Sequence, residues 1–215
     1  NDGCSFCRTV PVMLKREPFN LMKALVAGAC CDQMRRLTEV IEDYNGIPTF
    51  FFPAPRSWNT DKDFFLNAML KSFQQMGNLL GLKLNQDKLA DMSETRFKMN
   101  RLVAKLRKEM KLPVRLLHRL AQSPLPPDII IDFIHLHNIE IKENDRIKVM
   151  LMGSIPSGRE VSIVEESGGD IVADATCLGD RAFLFPDAKC PSSRTGYEII
   201  NSLYDHYVEN NTCPH

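Results

Sequence analysis

No stretch of this sequence is long and apolar enough to span a bilayer. Its longest apolar runs, such as 49–52 and 24–29, are short, whereas a membrane helix needs roughly 20 residues. Neither sign of charge is in excess, with 27 basic and 27 acidic side chains, so the basic footprint of a nucleic-acid binder is missing. Repeats at solenoid spacing and low-complexity tracts are absent as well. The opening Asn1-Asp2-Gly3-Cys4 has no Met and no signal-peptide pattern, and Thr212-Cys213-Pro214-His215 closes without a polar tail. Both are expected to be cut ends. A cytoplasmic protein is expected, with no nucleic acid and no membrane among its partners.

What is present is enough apolar material for a core, 44% of 215 residues. Seven cysteines stand at positions 4, 7, 30, 31, 177, 190 and 213. The count is odd and the chain is large enough to fold without staples, so a disulfide framework is the weaker reading. Reduced thiols available to a metal are the stronger one.

Residues 23–27 (KALVA) form a short apolar run that suits a buried parallel strand. Asp32 then reads as an N-cap, opening a helix with Met34, Leu37, Val40, Ile41 and Tyr44 on its apolar face. Asn45-Gly46 stops that helix, and 48–52 reads as a second strand, completing a βαβ unit. Helical periodicity dominates 61–122, with Phe64, Phe65, Ala68, Met69 and Phe73 in one stretch. A second stretch carries Leu89, Met92, Met99, Leu102, Val103 and Leu106, with Asn85 as its cap. A short helix is expected near 129–137, then a strand at 146–152, a helix at 159–167, a strand at 170–173 and a last helix at 197–208. The expected division is 1–60 as part of a first α/β lobe, 61–140 as a helical insert and 141–215 as the start of a second lobe.

The chemistry sits in the cysteines. Cys4 and Cys7 are expected in a loop before the first strand, with Cys30 and Cys31 immediately after it. Ligands gather at the carboxyl ends of parallel strands. A thiol at the start of the helix near Asp32 also meets the positive end of the helix dipole, which favours the thiolate. A zinc ribbon wants two separated C-x-x-C knuckles, which adjacent Cys30-Cys31 does not supply. The closely packed cysteine run of ferredoxins is absent, and Cys4–Cys7 lacks the preceding strand of a thioredoxin motif. By spacing alone, metal binding and two packed, buried cysteines both stay open.

Several segments, in order, resemble the 2-hydroxyglutaryl-CoA dehydratase D-component family, which includes benzoyl-CoA reductase subunits. Cys4-Ser5-Phe6-Cys7-Arg8 resembles its first cysteine motif and Cys31-Asp32-Gln33-Met34-Arg35 its Cys-Asp motif. Gly153-Ser154-Ile155-Pro156 with Glu165-Glu166-Ser167-Gly168-Gly169 resembles its later strand-turn-helix. Asp174-Ala175-Thr176-Cys177-Leu178-Gly179-Asp180-Arg181 resembles the segment after the next strand, and Tyr207 to Cys213-Pro214 the helix ending in Cys-Pro.

The resemblance implies an α/β fold of two flavodoxin-like three-layer lobes with a helical insert, here truncated at both ends. It implies a 4Fe-4S cluster held by three cysteines, with Cys4 matching the first metal ligand and Cys31 the second. The third is expected beyond residue 215. Cys7 is an alternative to Cys4, Cys30 stands where the family needs no cysteine, Cys177 is not assigned to a single-cluster site, and Cys190 is incidental.

The implied activity is that of a 2-hydroxyacyl-CoA dehydratase-type lyase in an anaerobic cytoplasm. An ATP-dependent activator protein delivers one electron, and a ketyl radical anion of the acyl-CoA then expels the hydroxyl group. A second dehydratase subunit of the same fold is the implied partner in a heterodimer. The resemblance equally admits a benzoyl-CoA reductase-like or double-cubane reductase subunit, or a non-catalytic partner subunit. A zinc-stabilised α/β domain is the unrelated alternative.

Other residues take plainer readings. The turn 153–158 (GSIPSG) lacks the Gly-Lys-Ser/Thr of a nucleotide loop and reads as a tight turn. His118, His135 and His137 read as structural, Asp32 as a cap and Glu165-Glu166 as a solvated helix face.

Overall fold

The structure, a computed structural model, describes residues 5–17, 21–28, 31–53, 61–137, 145–153, 155–156, 158–183 and 195–210. The chain is mixed α/β and divides into two compact units, one formed by 1–89 with 191–215 and the other by 90–190.

The first unit is organised around two short parallel strands, β1 (Leu25–Gly28) and β2 (Thr49–Phe52), paired in register from Leu25 opposite Thr49 to Gly28 opposite Phe52. Between them runs α2 (Asp32–Asn45), so the expected βαβ unit forms. Gly46 ends α2 in the left-handed conformation, φ 63°, a region that suits glycine. The helix buries Leu37 and Ile41, with Met34 and Leu25 packed around them. Val40 and Tyr44, expected on the same face, are exposed. The Tyr44 ring instead receives the Lys15 ammonium at 3.8 Å from its centroid, and that amine lowers the phenol's pKa by hydrogen bonding.

Ahead of β1 the chain forms a helix, α1 (Ser5–Met13), where a loop was expected. Pro11 inside it disguises the helix in the sequence, since proline removes an internal hydrogen bond and usually ends a helix. Here α1 is held by packing on α2, with Val10 and the following Leu14 packed in the core of Leu37 and Ile41.

Helix α3 (Lys62–Leu80) is capped by Asp61, whose carboxylate accepts the Phe64 amide at 2.7 Å. It packs against β2. Phe65, Leu66 and Met69 are buried there with Ile200 and Tyr204 of α8 (Gly196–Asn210). Phe64 is solvent-exposed.

The second unit takes in most of α4 (Gln86–Lys108), with α5 (Val114–Gln122) and α6 (Pro127–Leu136). As expected, Asn85 caps α4, its side chain accepting the Lys88 amide at 2.9 Å. Met99 and Val103 are fully buried against Leu112, Leu117, Ile130 and Phe183, whereas Met92 lies exposed. Strands β3 (Ile147–Met152) and β4 (Gly169–Ala175) pair in parallel with an irregularity between Val149 and Met150. They are joined by α7 (Gly158–Glu166), which buries Val161 against Ile171 and Val114. A 3-10 turn, Asp180–Phe183, follows β4. No described helix is long and apolar enough to cross a membrane.

Candidate metal centre

Cys31 stands just beyond the carboxyl end of β1 and directly before α2. It, and not Asp32, is the N-cap: its backbone is extended at φ −157° and ψ 167°, and its carbonyl accepts the Arg35 amide at 3.2 Å, the first bond of the helix. The one-residue shift moves Asp32 into the first turn, where a carboxylate still complements the dipole. No side chain caps the opening amides through the N-cap position. The half-buried thiol is in no disulfide. It therefore sits at the partial positive charge of the helix start.

Cys7 is placed differently. It lies within α1, part-buried against the Leu14, Leu37 and Ile41 core, and so behaves as a small apolar residue. Cys4, the residue matched to the first ligand, lies outside the described residues, as do Cys30, Cys190 and Cys213. Among the described residues, no three His, Cys, Asp or Glu side chains converge as a metal site. Cys31 is a half-buried sulfur donor whose chemistry suits an iron–sulfur centre, and the described residues form no closed site around it.

The second unit holds a polar network around the segment Asp174–Asp180. Asp174 is fully enclosed at the end of β4. One carboxylate oxygen accepts the Thr176 amide at 2.8 Å, and the other lies 2.5 Å from Nε2 of buried His118 on α5. The Asp174 amide donates to Asp180 Oδ2 at 2.9 Å. Asp180 is gripped in turn by Arg107 of α4, whose Nε and Nη2 donate at 2.6 and 3.2 Å. The same guanidinium donates to the Leu112 carbonyl at 2.8 Å and to that of Val172 at 3.4 Å.

Glycine is required at 179, where a Cβ would overlap an Asp174 carboxylate oxygen. The fixed loop presents Cys177 at the surface. His118 is thus a structural histidine, as expected, although its carboxylate partner lies 56 residues away in sequence and could not be named from the chain alone. Asp174, Gly179 and Asp180 belonged to a segment singled out by resemblance. Arg107 gave no signal, being one cation among several at the end of α4.

Two other expectations resolve here. Glu165 is no plain solvated residue: it pairs with Arg115 at 2.5 Å. In the GSIPSG turn, Gly153 takes a positive φ of 136°, while Ser154 and Ser157 lie outside the described residues. His135 and His137 are exposed.

The family model described as 2-hydroxyglutaryl-CoA dehydratase, D-component, matches residues 1–215. No curated protein matches the chain.

Proposed function

Because the chain belongs to the 2-hydroxyglutaryl-CoA dehydratase D-component family, we propose that it is the iron–sulfur subunit of an enzyme eliminating water from a 2-hydroxyacyl-CoA. The reading includes two flavodoxin-like lobes, an anaerobic cytoplasmic setting and a 4Fe-4S cluster held in part by Cys4 and Cys31. The remaining ligand is assigned to a residue outside those described. The observation that carries it is the position of Cys31, a half-buried thiol at the amino end of α2, just beyond a parallel strand.

When bound, such a cluster supplies one-electron chemistry at low potential. Removing a hydroxyl from the carbon next to a thioester carbonyl needs that chemistry, since the unactivated hydroxyl is a poor leaving group. The chain's own part is to present sulfur at a fixed place. Strand β1 and helix α2, locked by Leu25, Leu37 and Ile41, hold the Cys31 backbone. The positive end of the α2 dipole favours negative charge at that place. Cys7, part-buried against the Leu14, Leu37 and Ile41 core, is not assigned as a ligand.

The partners in this reading are a second dehydratase subunit of the same fold, an ATP-dependent activator protein and the acyl-CoA. The test is an anaerobic assay with those components. Formation of a 2-enoyl-CoA from the 2-hydroxyacyl-CoA, lost on Cys31→Ser, is expected. Reduction of an aromatic acyl-CoA without dehydration would favour the benzoyl-CoA reductase-like reading instead.

A further inference from the structure

Helix α6 is apolar on both its inner and its outer face, with Asp128, Asp132 and His135 as its polar positions. Its inner face, Ile130 and Ile134, is buried in the core with Leu117 and Met99. Its outer face carries Ile129, Phe133 and Leu136, exposed at 46%, 36% and 80%, with Leu125 immediately before it at 52%. Residues 129, 133 and 136 are spaced four and three apart, so they form one ridge along the helix, and Leu125 precedes the helix start at Pro127. Phe133 is held in place by the His137 ring, stacked at 4.1 Å between centroids, while His137 Nδ1 lies 2.9 Å from the Phe133 carbonyl. An exposed apolar ridge rimmed by polar side chains marks an interaction surface, and a preset aromatic on such a ridge is the kind of anchor that dominates interfaces.

The charge beside the ridge limits what can cover it. Exposed Asp128 and Asp132 lie along one flank, and the sequence has no Lys or Arg from 120 to 141. A second copy laid antiparallel with its ridge against this one would bring Asp132 close to its own counterpart, and like charges there oppose pairing. We infer that the outer face of α6 docks an amphipathic helix of a partner protein whose apolar stripe is flanked by Lys or Arg. A ridge of this length matches about two turns of such a helix, packed ridge into groove. This surface does not depend on the cluster assignment.

The test uses two synthetic helical peptides with the same leucine stripe, one flanked by lysines and one by glutamates. Their binding to the full chain is followed by fluorescence anisotropy. The lysine peptide is expected to bind at least roughly fivefold tighter, with the preference shrinking as salt rises. Asp128→Asn with Asp132→Lys should erase or reverse the preference. Ile129→Ser with Leu136→Ser, both at exposed positions, should abolish binding while circular dichroism shows the fold retained. The inference is overturned if neither peptide binds, if both bind equally, or if binding survives the serine variant. Sedimentation in which the serine variant dissociates a dimer of the chain would overturn it too, by making this face a self-interface.

Discussion

Arg107 and Asp180, 73 residues apart in sequence, meet through two hydrogen bonds of 2.6 and 3.2 Å, and this contact ties the end of α4 to the segment after β4. The Arg107 side chain is 9% exposed and that of Asp180 24%, so removing one partner leaves a poorly hydrated charge behind. Asp180→Ala is expected to cost about 3 kcal/mol, read as a lowered urea midpoint. Replacing both residues with apolar ones should cost less than that single change.

His118 and Asp174 make the same point on the other side of the loop. Asp174 has no access to solvent, and His118→Leu removes the side-chain partner of its carboxylate while leaving the Thr176 amide. A loss of about 3 kcal/mol is expected. Asp174→Asn in the same chain should recover part of it, which a double-mutant cycle by chemical denaturation would measure.

Gly179→Ala tests packing without charge. The added methyl would overlap both the Asp174 carboxylate and its carbonyl, so the loop must move. A cost of about 1–3 kcal/mol is expected, together with faster labelling of Cys177 by a maleimide. Unchanged stability and labelling would show that the loop is not held by this contact.

These contacts mark where the sequence stopped being informative. The strand-helix-strand around Leu25, Leu37, Ile41 and Thr49 was legible because a short apolar run, a 3.6-residue apolar period and Gly46 all agree. The long helices were legible from Phe65, Met69, Met99 and Val103 for the same reason. Helix α1 was hidden by Pro11, because local propensity argues against it and its packing on α2 is tertiary. Cys31 was placed at the helix start within one residue, the error being Asp32, a better capping residue by type. Arg107 with Asp180, and His118 with Asp174, are pairings over long sequence separations that no local pattern encodes. In α6 the run Ile129, Ile130, Ile131 has no period that separates the buried Ile130 from the exposed Ile129.

The cysteines separate by environment. Cys7→Ala should keep any bound iron and lower stability only modestly, because the thiol fills part of the Leu14, Leu37 and Ile41 core and a small cavity is left. Cys177→Ser, at an exposed position, should change neither iron content nor stability.

The most direct test is iron and acid-labile sulfide determined on anaerobically purified protein, beside Cys31→Ser and Cys7→Ala made in the same way. Iron and sulfide in equal amounts in the parent and in Cys7→Ala, with both lost in Cys31→Ser, is the predicted result. Iron and sulfide undiminished in Cys31→Ser, or stoichiometric zinc in their place, would contradict it.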